Sequence, residues 1–383
     1  MVVQPSSESP LLFKEVNMRY RTPAVILVMA VVFAAPVFVA GQAPSGTKTF
    51  EETAINTNAA IKAAVDDAKA AAATTNWIPP RTPWGDPDLQ GYYFNHSGYT
   101  PLERPRELAG KAFYTEEEAL AAFKKAVEED ADVDPRTVHY DWKEYGMDAW
   151  QSGVRPNLRT SLIVDPPDGR IPALTPEAVQ RQAAAAAADR AKGVDVTSTG
   201  LYTRCITGNG GPPRVPGGVT AESEIIQTPG YVVLVIQANN DARIIPLNGS
   251  PHLPQSVGLW LGDARGHWEG NTLVVETRNS NGRVQEAAVG PNGPINGATQ
   301  DMKVTERFTR TDAGTMNYRF TLEDEKTWAR PWTAEMPFVK MEPEGPFFEH
   351  ACNEGNRAPT NMLGVARFQE KVAAEAAKKK SSN

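Results

Sequence analysis

From Ser223 onward, apolar and polar positions alternate with a period of two. The segments EIIQ, YVVLVIQA and ARIIPL, separated by TPG and NND, read as strand, turn, strand, turn, strand. Pro229-Gly230 suits the middle of a type II turn, where the second central residue needs positive φ. HWEGNTLVVETR reads as a second hairpin around Gly270-Asn271, and KVTERFTR pairs with TMNYRFTL across TDAG as a third. EKTWARPWTAEMPFVKM and PFFEHAC add further extended segments. Short strands joined by tight turns predict an antiparallel sheet, closed as a barrel or packed as a barrel-like sandwich.

Upstream the period changes. YTEEEALAAFKKAVEED has a helical pattern, with Thr115 as cap and Glu118 completing a capping box. SLIVDPPDGRIPALTPEA gives two short extended pieces around a Pro-Asp-Gly turn. Thr175 and Pro176 then open a helix that runs through RQAAAAAADRAK and stops at Gly193. NWIPPRTPWGDPDLQGYYFNHSGYTPLERP is dense in Pro, Gly and aromatics, and its prolines argue against regular helix and central strand. It is expected to be an irregular arm wrapping the main domain, with Trp77, Trp84, Tyr92, Tyr93 and Phe94 needing a surface to pack on. GNGGPP, residues 208–213, reads as a flexible loop. The fold class is therefore mainly β (α+β), a barrel or barrel-like sandwich wrapped by N-terminal helices and a Pro-rich arm.

Arg19 and Arg21 precede an uncharged apolar run from Ala24 to Gly41, the pattern of an export signal, and Gly41 to Ala43 supply small residues at its exit. Met18 is the expected start, and an uncleaved membrane anchor is the alternative. The expected organisation is a signal peptide over 1–43, an Ala-rich helical or flexible spacer over 44–76 and the arm and helices over 77–222. The antiparallel domain follows over 223–370, and a solvated Lys-rich tail over 371–383. The predicted location is periplasmic or secreted, with membrane contact only through an uncleaved signal segment.

A formal charge of −7 over 383 residues, with no basic patch interleaved with aromatics, argues against nucleic acid as a partner. Two cysteines, Cys205 and Cys352, in an exported chain suggest a disulfide, with two separate buried thiols as the alternative. Their spacing is no zinc signature, and neither a metal nor a cofactor is expected.

Candidate chemistry concentrates in LWLGDARGHWEGNTLVVETR, where Asp263, Arg265, His267 and Glu269 share one face of a strand. A two-residue turn at Gly270-Asn271 sets Glu269 opposite Thr272, His267 opposite Val274, Arg265 opposite Glu276 and Asp263 opposite Arg278. This describes a polar outer face neutralised by cross-strand pairs, with Gly266, Trp268, Leu273 and Val275 facing the core. The functional alternative makes that polar face the lumen of a ligand-holding barrel, with His267 in proton transfer. Glu306 stands in an apolar stripe, where burial would raise its pKa unless Arg243, Arg265 or Arg307 pairs with it. His252 occupies a Pro-flanked loop after a strand, a favoured place for binding groups. Trp328 and Trp332 flank Arg330 and Pro331, and either stack on a ligand or fill the core. No phosphate loop, nucleophile elbow or CxxC is present.

Several stretches together resemble a family of exported, uncharacterised bacterial proteins: PPRTPWGDPDLQG, TPLERP, RTSLIVDPPDGRIPALTPEA, LYTRCITG, IIQTPGYVV, RIIPLNGSPHLP, GDARGHWEGNTLVVET, ERFTR and TWARPWTAE. They span most of the chain from Pro79 onward. The resemblance implies export and one integrated architecture, and it implies no reaction. The hairpin rhythm from Ser223 also resembles lipocalin-like barrels, as a pattern of strands rather than a motif with chemistry. Asn353 after the cysteine and the insertion VGPNGPINGATQ depart from the family's pattern.

Two functions follow as expectations. One is a pocket protein for a small organic or sugar-like ligand. Its catalytic version is an acid–base lyase, isomerase or hydrolase using His252 or His267 as base, Glu306 as acid and Asp263 to orient a partner. Arg243 and Arg265 would hold an oxygen, and Trp328 and Trp332 would contact ligand. The other is a non-catalytic structural or interaction protein of the cell envelope.

Overall fold

A computed structural model describes residues 77–94, 100–119, 121–122, 125, 158–192, 194–207, 211–215, 222–283, 295, 297–341 and 349–381. The signal segment, the Ala-rich spacer, the first three residues of PFFEHAC and much of the first predicted helix lie outside them.

Ten strands form one antiparallel sheet: β1 (Gly91–Phe94), β2 (Ile163–Asp165), β3 (Glu222–Thr228), β4 (Tyr231–Ile236), β5 (Asp241–Pro246), β6 (Asp263–Glu269), β7 (Thr272–Arg278), β8 (Lys303–Arg310), β9 (Thr315–Glu323) and β10 (Trp332–Lys340). Their order is β5-β4-β3-β1-β10-β9-β8-β7-β6, with β2 added against β10. The sheet curls into a nearly closed barrel. Its end strands come together at Gly266 on β6, where a Cβ would stand 2.9 Å from Ile245 of β5 and 2.7 Å from Leu247. The missing side chain leaves room there for the ends of the Ile245 and Leu247 side chains.

The three predicted hairpins are present. Gly270 adopts φ +61° and Gly230 +82°, as their turns require. The β6–β7 register pairs Asp263 with Arg278, Arg265 with Glu276, His267 with Val274 and Glu269 with Thr272. Along each strand one set of side chains fills the interior. Val304, Glu306 and Phe308 of β8 line up with Met316, Tyr318, Phe320 and Leu322 of β9. Trp332, Ala334, Met336 and Phe338 of β10 continue that face, and Ile225, Leu234, Ile236 and Ile245 supply the other wall. The rings interlock, with Tyr318 and Phe338 centroids 4.7 Å apart and Phe320 and Trp332 5.7 Å apart.

The Pro-rich arm departs from expectation at one place. Residues Gly91–Phe94 form β1, which pairs with β3 on one side and β10 on the other and joins the two halves of the sheet. A strand this short shows little periodicity, and the glycines and prolines around it conceal it. The described starts of the two flanking helices carry the expected caps. Thr115 Oγ1 accepts from the Glu118 N–H at 3.2 Å while Glu118 takes the Thr115 N–H at 2.8 Å. Helix α1 (Pro176–Lys192) is capped by Thr175, whose Oγ1 accepts from the Ala178 N–H. Across the 370/371 boundary, the end of the expected β domain and the Lys-rich tail form one helix, α2 (Ala358–Ser381).

Cys205 and Cys352 are joined by a disulfide that spans 147 residues of sequence. Around it, Asn356 donates to the Thr203 carbonyl and His350 Nδ1 accepts from the Asn239 N–H at 2.8 Å, which ties the C-terminal segment to the β4–β5 turn.

Candidate functional site

Two charged groups and one cleft converge at the end of the barrel formed by β5 to β8. The first group is buried in the interior. Arg243 of β5 reaches across to Glu306 of β8, donating to Oε1 at 3.0 Å and also to Oε2. A second hydrogen bond from its Nη2 goes to Thr277 Oγ1 at 3.2 Å. Tyr318 donates its hydroxyl to Glu306 at 2.8 Å and accepts the Arg214 backbone N–H at 2.9 Å. Glu306 is wholly buried and Arg243 and Arg214 nearly so.

A carboxylate without partners would be too costly here, and Arg243 meets that need. Burial alone would lower the Arg243 pKa, but the Glu306 carboxylate and its hydrogen bonds more than offset this and raise it. Tyr318 is pushed well above the ordinary phenol value by burial and by the neighbouring carboxylate. Burial lowers Arg214 to about 10. The expected pairing of Glu306 with an arginine is present, through Arg243 rather than Arg265 or Arg307.

Arg214 and Tyr318 were not expected as members of this group. Arg214 directly follows the 208–213 stretch read as a flexible loop, yet Gly211, Pro212, Pro213, Arg214 and Val215 are all buried. The available signal was an arginine and a valine directly after a rigid Pro-Pro pair, a composition suited to plugging a barrel end.

The second group lies outside the barrel wall. His252, on the loop between β5 and β6, places Nδ1 2.9 Å from Asp263 Oδ2 and Nε2 3.2 Å from Glu276 Oε1. Each ring nitrogen thus faces a carboxylate oxygen. Asp263 also accepts the Leu253 N–H at 2.8 Å and Arg265 Nη1 at 2.5 Å. Burial would raise the Glu276 pKa, but hydrogen bonds and charge from Arg278, with help from Lys303 and His252, bring it below the usual carboxylate value. The loop is thus clasped to the β6–β7 hairpin and covers Asp263.

The remaining candidates do not join these groups. His267 points outward, is 61% exposed and pairs with Glu269, which also binds Arg307. The lumen reading of the Asp263–Glu269 row is therefore corrected. The opposite face turns inward, because Gly266 pairs with Val275 and Val275 with Glu306. Trp328 and Trp332 are buried and meet edge to face, so their rings complete the core rather than offer a stacking surface. Among the described residues no cluster of His, Cys, Asp and Glu has the arrangement of a metal site.

Between the plug and the β6–β8 end lies a small cleft, with room for about one water, lined by Pro212, Leu261, Thr277, Ser280, Met302 and Val304 together with Gly262 and Arg278. Gly262 has φ +71°, and a Cβ there would stand 2.5 Å from the Thr277 methyl. Thr277 joins the two features, since it lines the cleft and its hydroxyl oxygen accepts a hydrogen bond from buried Arg243. The cleft wall is largely apolar, with Thr277, Ser280 and Arg278 as its polar residues.

No family model matches the chain, no curated protein is similar to it, and no solved structure matches its fold.

Proposed function

We propose that this protein binds a small oxygen-bearing organic molecule in the cleft at the β6–β8 end and does so without catalysis. The carrying observation is Thr277, a residue of the cleft wall whose hydroxyl accepts a hydrogen bond from the buried Arg243 guanidinium. A hydroxyl that donates outward while accepting from Arg243 favours a ligand acceptor such as a carboxylate or carbonyl oxygen. The cleft itself has room for about one water, so only the oxygen-bearing end of a ligand would enter it.

Three observations support binding over turnover. Both ring nitrogens of His252 face carboxylates, which leaves neither nitrogen to act as a base in this arrangement. Glu306 is committed to Arg243 and Tyr318. His267 lies on the outer surface, on the other face of the sheet from Glu306. Export is carried with this proposal, and a long-range disulfide is in keeping with an oxidising compartment.

A thermal-shift panel of short carboxylic acids, alcohols and monosaccharides at about 10 mM, in the range of weak small-ligand affinities, tests the reading. Acids or carbonyl compounds should raise the Tm, and Ser280→Phe, which fills the cleft, should abolish the rise. Stabilisation that survives Ser280→Phe, or none from any compound, contradicts it.

A further inference from the structure

Asn–Gly is the dipeptide most prone to lose the asparagine side-chain amide, because glycine lets its backbone nitrogen come close to the neighbouring amide carbon. Five such pairs occur in the chain, and those at Asn248–Gly249 and Asn281–Gly282 lie wholly among the described residues. The two pairs share one local geometry. Asn248 Oδ1 accepts the Ser250 N–H at 3.0 Å, and Asn281 Oδ1 accepts the Arg283 N–H at 3.0 Å. Each bond curls the side chain back over the following glycine. It also sets an N–H donor at the oxygen that turns negative when the amide carbon is attacked.

The pairs differ at the attacking nitrogen. The Gly282 N–H is donated to Ser280 Oγ at 3.3 Å, and Gln300 covers that glycine, with Cγ 3.0 Å from where a Cβ would stand. Asn281 is also held by its backbone, whose N–H bonds the Leu259 carbonyl at 2.9 Å and whose carbonyl accepts Gln300 Nε2 at 3.3 Å. Asn248 and Gly249 are both exposed. Nothing lies within 4 Å of the Gly249 Cβ position, and among the described residues the Gly249 N–H makes no hydrogen bond. Solvent reaches this nitrogen, and the Asn248 side chain can close on it.

We propose that Asn248 is a covalent modification site, converted without an enzyme to aspartate and isoaspartate while Asn281 stays intact. Hydroxide or water takes the Gly249 N–H proton, and that nitrogen forms a bond to Asn248 Cγ. The Cγ–Nδ2 bond breaks, and Nδ2 leaves as ammonia with a proton from water. Water then opens the cyclic imide at either carbonyl carbon, giving aspartate or isoaspartate, with no oxidant or reductant involved. The change falls between the barrel seam and the clasped loop, since Leu247 abuts Gly266 and His252 bonds Asp263 and Glu276. Either product adds a negative charge there, and isoaspartate lengthens the main chain by one carbon. Ageing of the molecule is thereby written into the loop that covers Asp263.

Peptide mass spectrometry of the folded full chain, held at mildly alkaline pH and sampled over weeks, tests this. Acid should accumulate at residue 248 about five- to tenfold faster than at residue 281, the rate difference expected from one hydrogen bond held on the attacking nitrogen. Both aspartate and isoaspartate should appear at 248. In concentrated urea, where each pair loses its surroundings, the two rates should converge. An intact Asn248 in the folded chain overturns the proposal, and so does change at 281 that is as fast or faster. A preference for 248 that persists in urea also overturns it, because the selection then lies in the flanking residues and not in the fold. Aspartate without isoaspartate does the same, since that is the product of direct hydrolysis.

Discussion

Arg243 and Glu306 meet inside the barrel although they stand on β5 and β8, strands far apart in the order of the sheet. The pair bridges the two walls across the interior. Removing one partner leaves the other buried and uncompensated. Glu306→Gln should cost about 3–5 kcal/mol in urea unfolding. The double change Arg243→Met with Glu306→Leu should cost clearly less than the sum of the two single changes, because no charge is stranded. Additive losses would mean that the two side chains act independently.

Tyr318 links this pair to the plug, and its raised pKa has a defined consequence. Below about pH 10, the ordinary phenol value, the folded and unfolded chains both hold the proton and the contribution is complete. Above it the unfolded chain gives up the proton first, binds fewer protons than the folded chain, and stability from this group falls as pH rises. Arg214, lowered to about 10 by burial, acts in the opposite sense over the same range. Tyr318→Phe isolates the phenol. The variant should lose about 1–2 kcal/mol at pH 8, and the gap from wild type should narrow above about pH 10. A gap that stays constant to pH 11 contradicts the assignment.

Glu276 gives the acid counterpart. Its lowered pKa means that the clasp contributes in full above the usual carboxylate value, about 4.3, and is lost as pH falls through the folded value below it. The group is partly exposed, so Glu276→Gln should cost no more than about 1 kcal/mol at pH 7. Amide exchange in residues 250–260 should quicken in the variant at pH 7, and the difference should shrink as pH falls below the usual carboxylate value. Equal exchange at pH 7 would show that Asp263 alone holds the loop.

The seam between β5 and β6 depends on the missing side chain at Gly266. Gly266→Val should destabilise by about 1–3 kcal/mol, because overpacking there must push Ile245 and Leu247 aside. Asn271→Gly at the adjacent turn, which leaves the seam untouched, serves as the comparison. A neutral Gly266→Val would show that the barrel is open along this seam.

The hairpins were legible because each turn carried its own chemistry. Gly270-Asn271 set the register, and the register alone paired Asp263 with Arg278 and Arg265 with Glu276. The face of each strand was legible where apolar residues alternated cleanly, as on β8 and β9. Elements that depend on distant partners were not. β1 is four residues long and is a strand only because β3 and β10 flank it. Arg214 is buried because a barrel end lies over it, and local composition pointed to an exposed loop. The dual capture of His252 by Asp263 and Glu276 required the loop to fold back over the hairpin, which periodicity does not encode.

The most direct test is a methyl NMR titration with a short carboxylic acid, observing the methyl groups of Thr277, Met302, Val304 and Leu261. The account expects saturable shifts at these four positions, retained in His252→Ala and His267→Ala and lost in Ser280→Phe, with the acid chemically unchanged after prolonged incubation. Shifts centred on His252 or His267 instead, or conversion of the acid that stops in either histidine variant, would contradict it.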